Sequence, residues 1–586
     1  MMTLTSSTLR FSVAAFALCV VPHMSFAQIV GPPVRIDPGG GTAAANETTA
    51  SASEFNPNVV IAGWNDWRQS TSQEIIRSGF TVSFDGGQTW TDFLLRPPAA
   101  NQSTVEGDPM SAYDDRTGTL WAGAISFASN GGLYVARLNP GDTSFQPSVM
   151  ARVTGSADKC WMCAGPRPGL PDTTRVYIAY NQGVIFSDDM GQTWTSPVSL
   201  GSGIGFLPRI GPSGELYVAY WNFGTSMLLK RSLNGGASFT THTIATRMDT
   251  WGTQDGSRFP GNFRVPPMCY IAVDPNDGTL YAVYFDTTNI LSNGRNVDLY
   301  FTKSTNQGTS WTTPVAINGD GNPPGDQFFP WIEVDQEGRI QIVFFDSRHT
   351  NQNDNVINGM FDAYFMFSED GGTNWTEIRL TPQSWNCNND GLNRSQQFLG
   401  DYLGMAVAGD RAYPAYLDTT LGDPNVYTRV IEFGVATEIV DFEVFRGTHV
   451  GGGLAEIESS DNLYLSARSE FGVMALEPNV LDLRVGAITN HASPALIDLA
   501  IEERMNQSGG VARVRLRNWS TNQFQQVNQH AVSTTDQTIA LADLPALNRV
   551  RVSDGRIEIS IRHAAVATFS VQGFRSFFDL VEVAVE

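Results

Sequence analysis

The chain is expected to be all-β: a run of repeated four-stranded units followed by a smaller domain of alternating strands. A short phrase, Ser-x-Asp/Asn-x-Gly-x-x-Trp/Phe, occurs five times, as SFDGGQTW from Ser83, SDDMGQTW from Ser187, SLNGGASF from Ser232, STNQGTSW from Ser304 and SEDGGTNW from Ser368. Between copies the chain reads strand, Asp-x-x-Gly-type turn, strand. IAVDPNDGTLYAVYFD at 271–286 and IEVDQEGRIQIVFFD at 332–346 are almost superimposable. After Phe433 the phrase stops and short period-two segments take over.

Each phrase reads as a tight turn closing a hairpin. Its third residue (Asp85, Asp189, Asn234, Asn306 or Asp370) bonds local backbone N–H groups, its Gly accepts positive φ, and its aromatic packs on a neighbouring unit. The phrase resembles the Asp-box, or bacterial neuraminidase repeat, of sialidases and related secreted β-propellers, over about Asn46 to Phe433. The resemblance implies blades around an axis, the third strand of each leading into its box and the fourth beginning at the box Trp.

Counting by that grammar gives seven blades, starting near Asn46, Glu106, Lys159, Gly205, Phe263, Asp326 and Phe398. Sialidases typically have six, so a six-bladed ring is the alternative. RLNPGDTSF at 137–145 is a degraded box. The last blade, within 400–433, has three strands, and IVGPPVRI at 29–36 is free to supply the fourth. Closing the ring this way removes exposed strand edges. The propeller is expected over 28–437 and a C-terminal β-sandwich over 438–586, with segments such as VARVRLRNW at 511–519 and RIEISIRH at 556–563. Asp461 and the region of Trp519 could face a ligand there, though loop and core roles are the simpler expectation.

A chain of 586 residues exceeds one ordinary core. With 37 Lys plus Arg against 59 Asp plus Glu, net −22, it offers no basic patch for phosphate backbones, so a nucleic-acid partner is excluded. Residues 1–27 read as a secretory signal: Arg10, the apolar run Phe11–Val21, then Ser25-Phe26-Ala27 at the cleavage site. A secreted or periplasmic location follows. No further run approaches the ~18 apolar residues of a membrane span, so membrane insertion is not expected. Cys160, Cys163, Cys269 and Cys387 then make an even set in an oxidising compartment, which favours one or two disulfides; a zinc site at CWMC is the alternative.

In a propeller the starts of first strands and the ends of second strands share one face, around the channel mouth. First-strand starts carry Glu47, Asp108, Lys159, Arg209, Arg264, Asp326, Asp401 and Tyr402; second-strand ends carry Asp66, Arg68, Asn222, Asp286, Asp346, Arg348 and Asp418. Such a rim, with Trp64, Trp67, Trp161, Trp221 and Trp331 nearby, suits a glycan or surface polymer. The same acids could instead staple loops or hold Ca²⁺; no cofactor is required. The sialidase resemblance implies three arginines gripping a substrate carboxylate, an Asp acid or base, and a Tyr nucleophile activated by Glu. Phe263-Arg264-Val265-Pro266 is similar to the family's first arginine motif, though it opens the fifth unit and not the first. The roles so implied are Arg264, Arg68 and Arg348 on the carboxylate, Asp286 as acid and Tyr402 as nucleophile. Glu47, Asp66, Asp108, Arg209, Asp346, Asp401 and Asp418 would complete the binding rim. A non-catalytic adhesion or structural propeller is the competing reading.

Overall fold

The computed structural model describes residues 28–586 except 55, 70–73, 249–263, 292–293, 320–324, 350–358, 393–396, 434, 437, 455–456, 458–463, 472–478, 490–493, 495, 552, 554, 566–573 and 586. The signal segment, Phe263 and Asp461 lie outside the described residues. The chain separates into two compact units, Ile29–Glu432 and Phe433–Glu586.

Among the described residues seven antiparallel sheets make up the first unit. Their first strands are Ala45–Ala52, Glu106–Asp114, Trp161–Arg167, Ile204–Ile210, Cys269–Val273, Gln327–Val334 and Gly404–Ala408. Each packs against the next and the seventh against the first, so the sheets form a closed ring with these strands innermost. The propeller is therefore visible in the topology itself. Val34–Arg35 pairs with Tyr427 and Thr428, and Ile29–Val30 with Ile431–Glu432. The seventh sheet thus takes its outer strand from the other end of the chain, and the ring has no open seam there.

The boxes lock the blades in a uniform way. Ser83 Oγ donates to Asp85 Oδ1 at 2.9 Å and accepts from Gly87 N–H at 2.8 Å, while Asp85 Oδ1 accepts from Thr89 N–H at 2.8 Å. The same backbone acceptance recurs at Asp189, Asn234, Asn306 and Asp370, at 2.8–3.0 Å. Asn serves as well as Asp because only a carbonyl-type oxygen is needed. The box Gly is required twice over: at Gly308, φ is +75° and an added Cβ would lie 2.1 Å from Leu229 of the preceding blade. The box Trp then packs on that neighbour, as Trp375 does on Phe301 at 5.2 Å.

The described residues of the second unit form two six-stranded antiparallel sheets that share one apolar cluster. Leu483, Val514, Ile559 and Ile561 come from one sheet, Leu499, Ile501, Phe578 and Val581 from the other. Trp519 is held from within: its indole N–H donates to the carbonyls of Arg549 and Arg556, both at 3.0 Å. Inside this unit Glu503 bridges two imidazoles, His530 Nε2 at 2.6 Å and His563 Nε2 at 2.8 Å.

All four described cysteines are free thiols, which corrects the expected disulfides. Cys160 and Cys163 lie three residues apart on one extended segment, so they project to opposite faces of the third sheet and pack with different neighbours. Cys269 belongs to the fifth sheet and Cys387 follows a strand of the sixth.

Two outcomes are expected. Asp189→Ala should cost about 1 kcal/mol in urea unfolding, whereas Asp189→Asn should stay within ~0.5 kcal/mol, because the carbonyl oxygen that accepts Thr193 N–H survives. For Glu503, burial would raise the carboxyl, but the His563 and His530 charges and hydrogen bonds outweigh it and hold the group at about 2, against an ordinary 4.5. A depressed carboxylate contributes stability above 4.5 that is lost as pH falls towards 2, here on the order of 3 kcal/mol. Acid denaturation should therefore show a steeper loss below pH 4.5 in the parent than in Glu503→Gln; equal slopes would refute the assignment.

Candidate ligand site at the channel mouth

The first strands begin with a shared irregularity. Pairing slips after Asn46, Gly107, Ile204 and Phe328, and the residue inside each slip is left-handed: Glu47 at φ 54°, Asp108 at 50°, Gly205 at 74° and Phe329 at 49°. Lys159, just before the third blade's first strand, has φ 50°. A bulge turns one side chain away from the regular alternation. In the first three blades that side chain is charged.

Those charges meet. Lys159 Nζ lies 3.0 Å from Glu47 Oε1, 2.7 Å from Asp401 Oδ2 and 3.7 Å from Asp108 Oδ1. Its backbone N–H donates to Asp108 Oδ2 at 2.8 Å. Arg264 clamps Asp401 with two donors, Nε to Oδ1 at 2.6 Å and Nη2 to Oδ2, and stands 3.9 Å from Glu47. Asn65 fixes the pair beneath, donating to Glu47 Oε2 at 2.7 Å and accepting from Asp108 N–H at 2.9 Å. Glu47, Asp108, Lys159 and Asp401 are all buried, whereas the Arg264 side chain is 29% exposed. Burial pushes the Glu47 carboxyl up, against the pull of Lys159. Burial would lower the Lys159 ammonium, but Asp108, Asp401 and Glu47 together raise it well above its ordinary value.

Below the charges lies an aromatic layer. The Tyr402 ring sits 5.4 Å from Lys159 Nζ and 5.0 Å from Trp161, which touches Tyr270 and Trp331 at 6.5 and 6.2 Å. Trp331 is followed by Arg209, 5.3 Å above its ring and paired to Glu333 at 2.6 Å. Arg209 and Glu333 line a recess of about 190 Å³ with Glu54, Tyr113, Cys163 and Gln336.

Of the residues expected on the rim, Glu47, Asp108, Lys159, Asp401, Arg264 and Tyr402 are brought together, and the others are not. Arg209 is the sixth residue of Ile204–Ile210, not its start, so it belongs to the far end of the channel. Arg68 is committed to Asp66 and Asp92 within the first blade, Arg348 to Asp346 and Glu377 within the sixth. The three arginines therefore do not converge on one carboxylate. Tyr402 is fully buried, its hydroxyl has no hydrogen-bond partner among the described residues, and burial followed by Glu47 and Asp108 raises it well above its ordinary value. It lacks the Glu-activated hydroxyl that a nucleophile needs.

The second-strand acids are loop staples. Asp66 accepts from Arg68 N–H at 2.8 Å, Asp346 from Arg348 N–H at 2.6 Å, Asp418 from Thr420 N–H at 2.6 Å, and Asp286 from Met248 and Thr287 N–H at 2.6 and 2.9 Å. Asp326 likewise accepts from Val297 N–H at 3.0 Å. Trp64, Trp67, Trp161, Trp221 and Trp331 are buried, so they are not open platforms for a sugar ring. Asn65 and Phe398, the latter under Arg264 at 4.8 Å, belong to the site but carried no motif that would have flagged them. Among the described residues no set of three His, Cys, Asp or Glu side chains is arranged to hold a metal ion. None of their helices is long and apolar enough to cross a membrane.

No family model matches the chain, and no curated protein does. Among solved structures it is similar to a protein of unknown function from Dyadobacter fermentans, at 14% identity over 69% of this chain and 99% of that one, TM-score 0.39. It is also similar to the intramolecular trans-sialidase of Ruminococcus gnavus, at 13% identity over 68% and 98%, TM-score 0.34. A third is the α-L-arabinanase of Penicillium chrysogenum, at 13% identity over 70% and 98%, TM-score 0.35.

Removing the central cation should be severe. Lys159→Met leaves buried carboxylates from three blades facing one another, and a loss of about 3–5 kcal/mol is expected. Urea unfolding of the variant checks this; a change under ~1 kcal/mol would show that Lys159 does not balance the cluster.

Proposed function

We propose that the chain is a secreted or periplasmic propeller that binds glycan at the mouth formed by Glu47, Asp108, Lys159, Arg264 and Asp401, and does not cleave it. The observation that supports this most is the state of Arg264. It is the partly exposed member of an otherwise buried cluster, held rigidly by both oxygens of Asp401 and backed by the Phe398 ring. A fixed guanidinium edge beside an aromatic offers hydrogen bonds and an apolar face to a hydroxyl-rich ligand at little ordering cost.

Three carboxylates against two cations nearly cancel. A ligand of low charge and many hydroxyls suits this mouth better than a strong anion. No Ca²⁺ is needed in this reading, because Lys159 Nζ and the Arg264 guanidinium already lie against the carboxylate oxygens. Hydrolysis of sialidase type is disfavoured by the dispersed arginines and by the buried hydroxyl of Tyr402.

The test pairs binding with turnover. Glycan-array binding by the mature protein should be reduced about tenfold or more by Arg264→Ala, with no release from fluorogenic sialosides or arabinosides. Turnover that Arg264→Ala or Glu47→Gln abolishes would replace binding with catalysis, and undiminished glycan binding by Arg264→Ala would move the site elsewhere.

A further inference from the structure

One face in the second unit departs from the charge of the whole chain. On the sheet containing Asn479–Ile488, Arg556–Ala565 and Gly510–Asn518, the residues Leu483, Val485, Ile559, Ile561, Val514 and Leu516 point into the apolar cluster. Strand alternation therefore sends Arg484, Arg556, Arg562, Arg513, Arg515 and Arg517 to the other face. These are six of the twelve arginines after Glu432, in a segment that contains no lysine.

The arginines are in register across strands. Arg513 stands opposite Arg562, and Arg484 and Arg515 flank Ser560 from either side. Successive arginines on Gly510–Asn518 are roughly 7 Å apart along the strand. Carboxylates are interleaved with them: Asp482 pairs with Arg515 at 2.8 Å, Asp441 with Arg556 at 2.8 Å, and Glu558 with Arg517. Aromatic rings stand among the guanidinium groups, Arg484 lying 3.3 Å from the Phe445 centroid and 5.1 Å from that of Phe524. Phe445 is 49% exposed.

From this arrangement we infer that the arginine face of the C-terminal unit binds a carboxylated polysaccharide. Guanidinium groups in a two-residue repeat match a polymer with regularly spaced carboxylates, and stacking on Phe445 and Phe524 fixes the plane of Arg484 among them. Of the interleaved acids, Asp482 is buried between Arg515 and Ser560, while Asp441 and Glu558 reach solvent and accept hydrogen bonds from sugar hydroxyls. On a chain of net −22 those acids repel any polyanion, but a polysaccharide offsets this with hydroxyl donors to them, which duplex DNA lacks. The ligand is thus both anionic and rich in hydroxyl donors. This site is separate from the mouth around Arg264.

Calorimetry of the full mature chain with polygalacturonate, its methyl-esterified form and duplex DNA decides the matter. The free-acid polymer should bind, with affinity falling as salt rises from about 50 to about 300 mM. The ester should bind about tenfold more weakly, and the double variant Arg513→Ser, Arg562→Ser should lose about tenfold while melting as the parent does. Should that variant misfold, the single substitution Arg513→Gln should still weaken binding about threefold. Arg264→Ala should leave this binding unchanged, so failure here and failure at the mouth are told apart. Equal binding of acid and ester, DNA bound as tightly as the polymer, salt-sensitive self-association in place of binding, or unaltered affinity in the arginine variants would each overturn the inference.

Discussion

An ammonium buried at the axis of a ring is tolerable only if the ring brings it partners. Lys159 is supplied by the third blade, and its carboxylates come from the first, the second and the segment opening the seventh. No one of these sheets could keep the cation out of water alone, since an isolated buried charge costs several kcal/mol. The cluster therefore couples closure of the ring to electrostatics. If the blades separate, three acids and two bases are left unpaired together. In the first three blades the left-handed residue serves this coupling, since it is the local distortion that swings Glu47, Asp108 or Lys159 out of the regular alternation.

Aspartate has two lives in this fold, and its position along the blade separates them. In the boxes and after the second strands it accepts backbone N–H groups within a few residues, which is a local task that any blade can perform. At the bulges its carboxylate reaches another blade, as Asp108 does to the backbone and ammonium of Lys159. Only the second kind builds a site. Its reach across blades, not its residue type, sets it apart.

That distinction marks what could be read in the sequence. Box turns, strand order and the donated N-terminal strand are encoded locally, in turn residues and hydrophobic alternation over a dozen positions, and the ring of sheets contains them as expected. Glu47, Asp108 and Asp401 were also legible as a group, because the repeat itself aligns their positions. The destinations of the arginines were not. Arg68 and Arg348 look like rim residues by position, yet each is captured by its own strand-end Asp two residues away, a short-range competitor that position alone does not weigh. Arg209 shows the opposite failure: shifting a strand start by five residues moves a side chain from one mouth of a channel to the other. Even cysteine number misled, since Cys160 and Cys163 are close in sequence but alternate across a sheet.

A charge-balanced mouth also bears on what chemistry the fold could perform. Hydrolysis needs groups whose protonation changes during the reaction, and so needs at least one acid or base free to exchange a proton near the substrate. Here Glu47, raised by burial, is sealed by Lys159 and Asn65, and the raised phenol of Tyr402 by the surrounding rings, whereas Asp158, also raised by burial, is only partly buried next to Lys159. What the cluster can do is present a rigid pattern of donors and acceptors whose geometry is fixed from four sides. Rigidity of that kind favours recognition, because the ordering of the groups is met on folding and not on binding.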